Sequence, residues 1–238
     1  DTRLTVRMGP PGPAYQLGHA RADVFSFECT LAGRRVVVNP GASTYEPGPE
    51  RAHERSAAAH NVVQVGTREP LEAWASFRTG RRYTVFDVDW GTHHAMATCD
   101  GYAPNLWRRR VAWDEAAGVW LVCDIVDPAP QTLHSRLHLH PDCTAHDVSE
   151  AGFTIYLGSQ PIAHVVAFGM QAAALVAGEV APRQGWYAAR FGQVHPAPAI
   201  TFSAAAPVCG YALAPGEVAP GPATLEQAWA RHRTAALP

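Results

Sequence analysis

The stretch GHARADVFSFECTLAGRRVVVNPGASTYEPGPERAHERSAAAHN, residues 18–61, decides the fold that the sequence predicts. Residues 23–31 alternate between two faces, and this period of two is typical of a half-buried strand. One face carries Phe25, Phe27, Cys29 and Leu31. Ala32 and Gly33 can form a tight turn, after which residues 34–38 return as the partner strand.

The flanks of this hairpin carry strong turn signals. Asn39-Pro40-Gly41 ends the second strand, because proline removes a ladder donor and glycine permits positive φ. Residues 46–54 hold two prolines, one glycine and several charges, so we predict an exposed loop there. Residues 61–65 then read as a third strand, and residues 4–8 as a short strand before the hairpin.

Beyond residue 80 the chain repeats short apolar segments separated by turn residues. We predict further strands at residues 82–88, 94–100, 106–113, 119–126, 133–139, 152–157, 162–168, 187–191, 200–204 and 209–213. Residues 171–176 are apolar, but their period does not decide between helix and strand. Such spacing predicts an all-β fold, a large antiparallel β-sandwich over residues 1–215. A Pro/Gly-rich tail and a short C-terminal helix follow in residues 216–238, with a capping box at residues 224–227 and an end near Ala236.

Composition narrows the class of protein. Of 238 residues, 47% are hydrophobic and 17% charged, which favours a globular domain with a sizeable core. A net charge of −2 gives no electrostatic case for a nucleic-acid partner. No run approaches the ~18 apolar residues of a membrane span. Five cysteines without a CxxC pair argue against a disulfide framework and a structural zinc site, and we predict that Cys29 and Cys123 are buried free thiols.

The hairpin should bring polar residues together at one end of the sheet, because Asp23 and Val38 meet there. The residues at this end are His19, Arg21 and Asn39, with Tyr45 or His60 beside them, and Arg55 lies in the same stretch. Arginine and asparagine can neutralise a carboxylate, and histidine or tyrosine can move a proton, so this end suits an anionic sugar. From spacing alone, a structural or solvated role for these histidines is the commoner alternative.

Three further groups are ambiguous. His134, His138 and His140 share one strand face. Side chains two residues apart on such a face are about 6.5–7 Å from each other, compatible with two ligands of one metal, although a hydrogen-bonded polar face is the simpler interpretation. Six aromatic residues could be either exposed or part of the core, and a core position is the more frequent of the two. They are Trp74, Phe77, Trp90, Trp107, Trp113 and Trp120. We predict that the arginines at residues 108–110 lie on a solvated surface. The chain starts with Asp1 rather than Met, so we expect a processed product with further sequence upstream.

Residues 12–74 resemble the C-terminal β-sandwich of heparinase II/III-like polysaccharide lyases. The family pattern is GHxHxDxLSFxL, then a strand ending DPGT, then RSTxAHNTVxVDG; RLHLHPD at residues 136–142 and GWYAARFG at residues 185–192 are also similar to the family. The resemblance implies cleavage of uronic-acid polysaccharides by β-elimination. A carboxylate is neutralised, a base removes the C5 proton, and an acid protonates the leaving oxygen. His19 matches the first histidine, which faces the cleft, and Tyr45 is its possible catalytic companion.

The resemblance also carries a metal expectation. In several members the second histidine, the aspartate of DPG and the histidine of AHN bind a structural zinc. These positions are Arg21, Asn39 and His60 here, and arginine and neutral asparagine are poor zinc ligands. We therefore predict no metal or other cofactor. Instead, we expect Arg21 to be a fixed cation that donates a hydrogen bond to Asn39. A zinc ion near His60 is the alternative. We predict that Arg21, Asn39, Arg55 and His60 bind substrate.

Family members carry an N-terminal helical toroid that completes the cleft, and this chain has no such domain. The resemblance therefore leaves two hypotheses. In the first, the chain is the sandwich of a lyase, supplying His19 to a shared cleft, with an acidic polysaccharide and the toroid as partners. In the second, it is a catalytically silent carbohydrate-binding or structural module. The family is often periplasmic or secreted, whereas the sequence itself leaves the compartment open.

Overall fold

The computed structural model describes residues 2–237, which form twenty-one strands and two α-helices. In chain order the strands are β1 (Thr2–Val6), β2 (Phe27–Leu31), β3 (Arg34–Val37), β4 (Val63–Val65), β5 (Ala73–Trp74), β6 (Arg78–Thr79), β7 (Val85–Trp90), β8 (His94–Tyr102), β9 (Asn105–Asp114), β10 (Val119–Asp127), β11 (Leu133–His138), β12 (Cys143–Ser149), β13 (Gly152–Leu157), β14 (Gln160–Phe168), β15 (Ala172–Val176), β16 (Glu179–Val180), β17 (Arg183–Gln184), β18 (Trp186–Arg190), β19 (Gln193–Pro196), β20 (Ala199–Ala204) and β21 (Val208–Pro215). The helices are α1 (Pro49–Arg55) and α2 (Pro222–Ala236), and Ala57–Ala59 form a 3₁₀ turn.

Two layers of antiparallel strands enclose the core. One layer is an eight-stranded sheet in the order β12-β13-β14-β21-β10-β9-β8-β7. The other combines the four-stranded sheet β15-β20-β11-β4 with the three-stranded sheet β1-β2-β3, joined by a bridge between Val37 and Leu139. Apolar side chains from both layers, such as Phe27 and Leu137 on one side and Val122 and Ile155 on the other, pack between them. The predicted all-β sandwich is confirmed.

Helix α2 covers the outer face of the large sheet. Trp229 stacks on Phe168 with ring centroids 4.6 Å apart, and a Cβ at Gly210 would lie 2.9 Å from the Trp229 ring. The helix begins at Pro222, earlier than predicted, and no side chain caps it, so the predicted capping box at residues 224–227 is wrong. The proline fixes φ and needs no partner for its nitrogen in the first turn. No helix within residues 2–237 has the length and apolar character needed to cross a membrane.

The strand predicted at residues 23–31 is shorter than expected. Strand β2 begins at Phe27, because Phe25 has φ 62° and Ser26 N donates to Asp23 O in a turn. Each predicted downstream strand has an observed counterpart, shifted by a few residues at its ends, and the undecided segment 171–176 is strand β15. Strands β5, β6, β12, β16, β17 and β19 were not predicted.

The exposed loop predicted at residues 46–54 is correct for residues 46–48 and wrong from Pro49 onwards. Residues from Pro49 onwards form α1, and three of its charged residues, Arg51, Glu54 and Arg55, are buried. Proline breaks a helix in its interior, but in the first turn it is favourable, which is where Pro49 lies. The buried charges find partners in distant segments: Arg51 donates to Ser76 O, and Glu54 accepts from the backbone and hydroxyl of Ser43.

The solvated surface predicted at residues 108–110 is also wrong for its central member. Arg109 lies in β9, at the middle of the eight-stranded sheet, and is fully buried against the carboxylate of Asp124. A strand with covered faces on both sides must satisfy a buried cation internally, and an ion pair does so here. All five cysteines are buried and unbridged, which confirms the prediction for Cys29 and Cys123.

Candidate functional site

A polar pocket of about 400 Å³ lies at one end of the three-stranded sheet. It brings together four residues that the sequence singled out: His19, Arg21, Asn39 and His60. They come from the segment before β2, the end of β3 and the turn before β4, and Tyr187 of β18 closes the remaining side. The hairpin therefore does gather these side chains at one sheet end, as the pattern indicated.

Four rings form an exposed aromatic wall beside the pocket: His19, Tyr45, Phe77 and Phe191. The ring centroids of His19 and Tyr45 are 5.4 Å apart in an edge-on arrangement, and those of Tyr45 and Phe191 are 5.2 Å apart. Phe77 and Phe191 are 50% and 63% exposed, unusually high for phenylalanine. Beneath the wall, the buried Arg51 guanidinium lies 5.0 Å from the centroid of the Tyr45 ring, a cation–π contact. His19 and Tyr45 are thus neighbours.

A chain of hydrogen bonds fixes the floor of the pocket. Asn61 N donates to Ser26 Oγ at 3.1 Å, and the Ser26 hydroxyl donates to Asn39 Oδ1 at 2.7 Å. The same Oδ1 lies 3.1 Å from His60 Nδ1, so the network assigns a hydrogen to Nδ1. His60 Nε2 then carries a lone pair, and it is buried without a hydrogen-bond partner among the described residues. Burial lowers the pKa of His60 well below its usual value, so the ring is neutral.

Arg21 forms one wall of the pocket. Its Nη1 donates to Gly41 O at 2.7 Å, so the expectation that Asn39 accepts from Arg21 is wrong. Gly41 has φ 82°, and a Cβ there would lie 2.1 Å from Ala188 O, so only glycine fits. Ala188 N in turn donates to Pro40 O at 2.7 Å. The turn after β3 is therefore packed directly against β18.

Arg55 lies outside the pocket. Its side chain is buried, with Nε donating to Ala20 O at 3.0 Å, Nη1 to Ala75 O at 2.9 Å and Nη2 to Thr79 Oγ1 at 3.0 Å. These bonds tie the segment before β2 to strands β5 and β6. We therefore treat Arg55 as a structural residue and leave it out of the proposed binding surface.

The residues at the family's zinc positions do not fit a metal site. The Arg21 guanidinium is a donor, and Asn39 Oδ1 is already occupied by Ser26 and His60. No group of three or more histidine, cysteine or acidic side chains in the part of the chain that the structure describes could hold a metal ion. The donor set here is thus a hydrogen-bonded network without the ligands that zinc requires.

The three histidines near residue 136 have separate partners. His138 donates through its backbone N and lies with Nδ1 3.2 Å from the same acceptor, Asn61 Oδ1. His134 contacts Ser203 Oγ at 3.3 Å, and His140 lies 3.4 Å from a carboxylate oxygen of Asp142. Burial lowers the pKa of His138 to about 3. These contacts support the polar interpretation of the group.

Sequence reasoning missed the residues that hold the pocket in place. Asn61 Nδ2 donates to Phe27 O at 2.7 Å and to Val38 O at 3.0 Å, joining both strands of the hairpin at the pocket end. Arg109 Nη1 donates to Phe25 O at 2.9 Å and to Asn61 O at 2.7 Å. One signal was available: Asp124, the partner of Arg109, is a charge inside an otherwise apolar strand.

The fold is an all-β sandwich domain with a polar pocket at one end of its three-stranded sheet. The chain belongs to the heparinase II/III-like family, since the model of that family's C-terminal region, "Heparinase II/III-like, C-terminal", matches residues 1–223. No curated protein sequence matches the chain.

Solved structures are similar to this fold at low sequence identity. A heparan sulfate lyase HepC from Pedobacter heparinus matches with 16% identity and a TM-score of 0.68, over 92% of this chain and 34% of that one. A heparinase III with methylated lysines matches with 14% identity and a TM-score of 0.68, over 92% of this chain and 33% of that one. The chain therefore spans about a third of the length of the structures that it matches.

Proposed function

We propose that this chain is the sandwich portion of a polysaccharide lyase that cleaves uronic-acid-containing glycans by β-elimination. The observation that carries the proposal is the pocket in which Arg21 lies beside His19, with Tyr45 against the His19 ring. A guanidinium, a histidine and a phenol in one place are the groups that this reaction needs.

Each group has a chemical role. Arg21 donates one hydrogen bond to Gly41 O, and its remaining N–H groups can bind the uronate carboxylate. Neutralising that carboxylate stabilises the carbanion-like charge that forms when the C5 proton leaves. His19 is exposed at the mouth of the pocket, where it can move a proton, and Tyr45 is the second proton-transfer group. The Asn39 amide, which lines the pocket, can orient sugar hydroxyl groups, and the buried His60 ring holds that amide in place.

A helical domain would complete the cleft. The aromatic wall is exposed in this chain, and the matched heparinase structures are about three times as long. An exposed cluster of Tyr45, Phe77 and Phe191 is a surface that a second domain or a sugar ring would cover. The groups that contact the sugar from the far side would come from that domain.

The alternative is a catalytically silent binding or structural module. It is favoured by one observation: the His19 ring is held by contacts with the Tyr45 and Phe77 rings, whereas a catalytic histidine is commonly oriented by a polar partner. Under this hypothesis the pocket still binds an acidic sugar through Arg21, but no bond is broken.

Absorbance of the unsaturated uronate product separates the two. The full-length gene product and the chain of 238 residues are each incubated with alginate, heparin-type and hyaluronan-type polymers. Product formed by the full-length protein from at least one polymer supports the lyase. Binding of a polymer by the full-length protein without product supports the silent module. Absence of both binding and product contradicts the lyase and the binding module and leaves the structural module.

A further inference from the structure

A second cavity continues from the central pocket over the outer face of the three-stranded sheet. It also measures about 400 Å³, and it shares Glu28, Arg35 and Asn39 with the central pocket. The two cavities therefore form one furrow, which runs from His19 at one end to Arg3 at the other.

The side chains in this furrow follow from strand register. Arg3 of β1 pairs with Thr30 of β2, which pairs with Arg35 of β3, so these three lie in one row across the sheet. Thr5 pairs with Glu28 in the next row. Neighbouring strands lie about 4.8 Å apart, which places the two arginine backbones about 10 Å from each other. The row presents two guanidinium groups with a threonine hydroxyl between them.

Charge is concentrated on this face. Four arginines, Arg3, Arg7, Arg21 and Arg35, line the furrow against the two carboxylates of Asp23 and Glu28, although the whole chain carries −2. Both carboxylates are held by ion pairs, Asp23 with Arg7 at 3.0 Å and Glu28 with Arg35 at 2.7 Å. Arg3 is exposed, and none of the ion pairs among residues 2–237 uses its guanidinium. The net positive charge of the furrow is therefore directed to solvent, chiefly through Arg3 and Arg21.

Arg35 joins the two cavities. Its Nη1 donates to Tyr187 Oη at 2.8 Å and its Nη2 to Glu28 Oε2 at 2.7 Å, so the side chain is held between β2 and β18. Its guanidinium lies on the path from the central pocket to Arg3. Four residues of extended strand span about 14 Å, so the face adds length for more than one further sugar residue.

We propose that the outer face of the three-stranded sheet is an accessory binding surface for acidic glycans, in which Arg3 and Arg35 bind the anionic groups of sugars beyond the one in the central pocket. The proposal rests on the proposed function, because it assigns the neighbouring sugars of the same polymer. Arginine is suited to this task, since its planar fork binds carboxylate and sulfate groups at two points. Threonine hydroxyls in the same row can bind sugar hydroxyl groups.

Oligosaccharide length is the direct test. Calorimetric titration of the 238-residue chain with heparin-type oligosaccharides of four and of ten sugars compares the central pocket with the whole furrow. We expect the ten-sugar ligand to bind at least tenfold more tightly. Arg3→Ala should weaken binding of the ten-sugar ligand by about twofold to fivefold, as for the loss of one exposed charge contact, and leave the four-sugar ligand unchanged.

Arg34→Ala is the matched control, because Arg34 is an exposed arginine next in sequence to Arg35 but lines a different cavity. It should change neither affinity. Equal losses for Arg3→Ala and Arg34→Ala, or no gain with length while the four-sugar ligand still binds, would overturn the accessory surface alone. Absence of binding by the full-length protein as well, with alginate and hyaluronan-type oligosaccharides of the same lengths included, would overturn the proposed function too. Single-stranded DNA of matched charge should bind more weakly than the ten-sugar ligand; equal affinity would assign the face to polyanions in general and overturn the glycan assignment.

Discussion

The guanidinium of Arg109 and the carboxylate of Asp124 form a two-point ion pair, with Nε–Oδ1 at 2.7 Å and Nη2–Oδ2 at 2.8 Å, and neither side chain reaches solvent. Trp107 Nε1 donates to the same carboxylate at 2.7 Å. Because Arg109 also binds the carbonyls of Phe25 and Asn61, this pair connects the middle of the large sheet to the floor of the pocket. The pair is therefore a support of the site as well as of the core.

Asp124→Asn should lower the free energy of unfolding by about 3–5 kcal/mol, because it leaves the buried Arg109 cation without its counter-charge. Urea denaturation followed by tryptophan fluorescence measures the change. Asp142→Asn is the matched control, since Asp142 is exposed and its contact with His140 is 3.4 Å long. Equal unfolding midpoints for the two variants would show that the buried pair contributes nothing beyond a surface contact.

His19→Ala in the full-length protein should reduce formation of unsaturated uronate by about a hundredfold or more, the usual contribution of a proton-transfer group. The exposed ring packs only against the aromatic wall, so the melting temperature should change little. His146→Ala serves as the control, because His146 is an exposed histidine on strand β12 of the other layer. Retained product formation in the His19 variant would refute the role that we assign to it.

Gly41→Ala should be more destabilising than Gly33→Ala. Both glycines have positive φ, 82° and 76°, so each alanine costs about 1–2 kcal/mol of backbone strain. A Cβ at Gly33 meets open space, whereas at Gly41 it meets Ala188 O. The comparison isolates the close approach between the turn after β3 and strand β18. Thermal unfolding measures it, and indistinguishable losses would mean that β18 moves away at no cost.

Zinc binding should be absent from the natural sequence and gained by Arg21→His combined with Asn39→Asp, because these changes restore two ligand types beside His60. Elemental analysis after dialysis against zinc measures the stoichiometry. Arg34→His with Asp142→Asn provides a control with altered surface residues away from the pocket. One zinc per natural chain, lost on His60→Ala, would contradict the metal-free assignment.

The free energy of unfolding should rise with pH between about 4.5 and 6.5. Buried histidines cause the rise, and a buried glutamate opposes it. Burial lowers the pKa of His53 to about 4 and of His138 to about 3, so the unfolded chain binds more protons below 6.5 and stability falls with acid. Burial raises the pKa of Glu69 from 4.5 to about 7, so that its contribution is present at low pH and lost as pH rises through this range. Because two histidines make stability rise with pH and one glutamate makes it fall, the net change is a rise.

Glu69→Gln removes the opposing contribution and should steepen the rise, by at most about 1.4 kcal/mol per pH unit. Urea unfolding at pH 4.5, 5.5 and 6.5 gives the slope, and Glu46→Gln at an exposed position is the control. An unchanged slope in the Glu69 variant would show that this carboxyl group titrates normally.

Local sequence patterns predicted most of the longer strands, but they did not predict the residues that hold the pocket in place. Strand β2 alternates apolar and polar residues, and that period alone predicts it. The left-handed turn at Phe25 was not visible, because its carbonyl is bound by Arg109, 84 residues later. Helix α1 was hidden by the Pro49 signal, and its buried Arg51 is satisfied by Ser76, 25 residues away. Long-range partners of this kind leave no local period.

The five buried cysteine thiols can be used as probes of local opening of the fold. Burial raises the pKa of Cys29, Cys99 and Cys123 to about 12 and that of Cys143 to about 11, and it also raises the pKa of Cys209. The folded chain therefore contains little thiolate, which is the reactive form of cysteine. These cysteines lie on strands of both layers. Each thiol becomes reactive only when its own strand opens, so the order of alkylation along the chain records which part of the sandwich opens first.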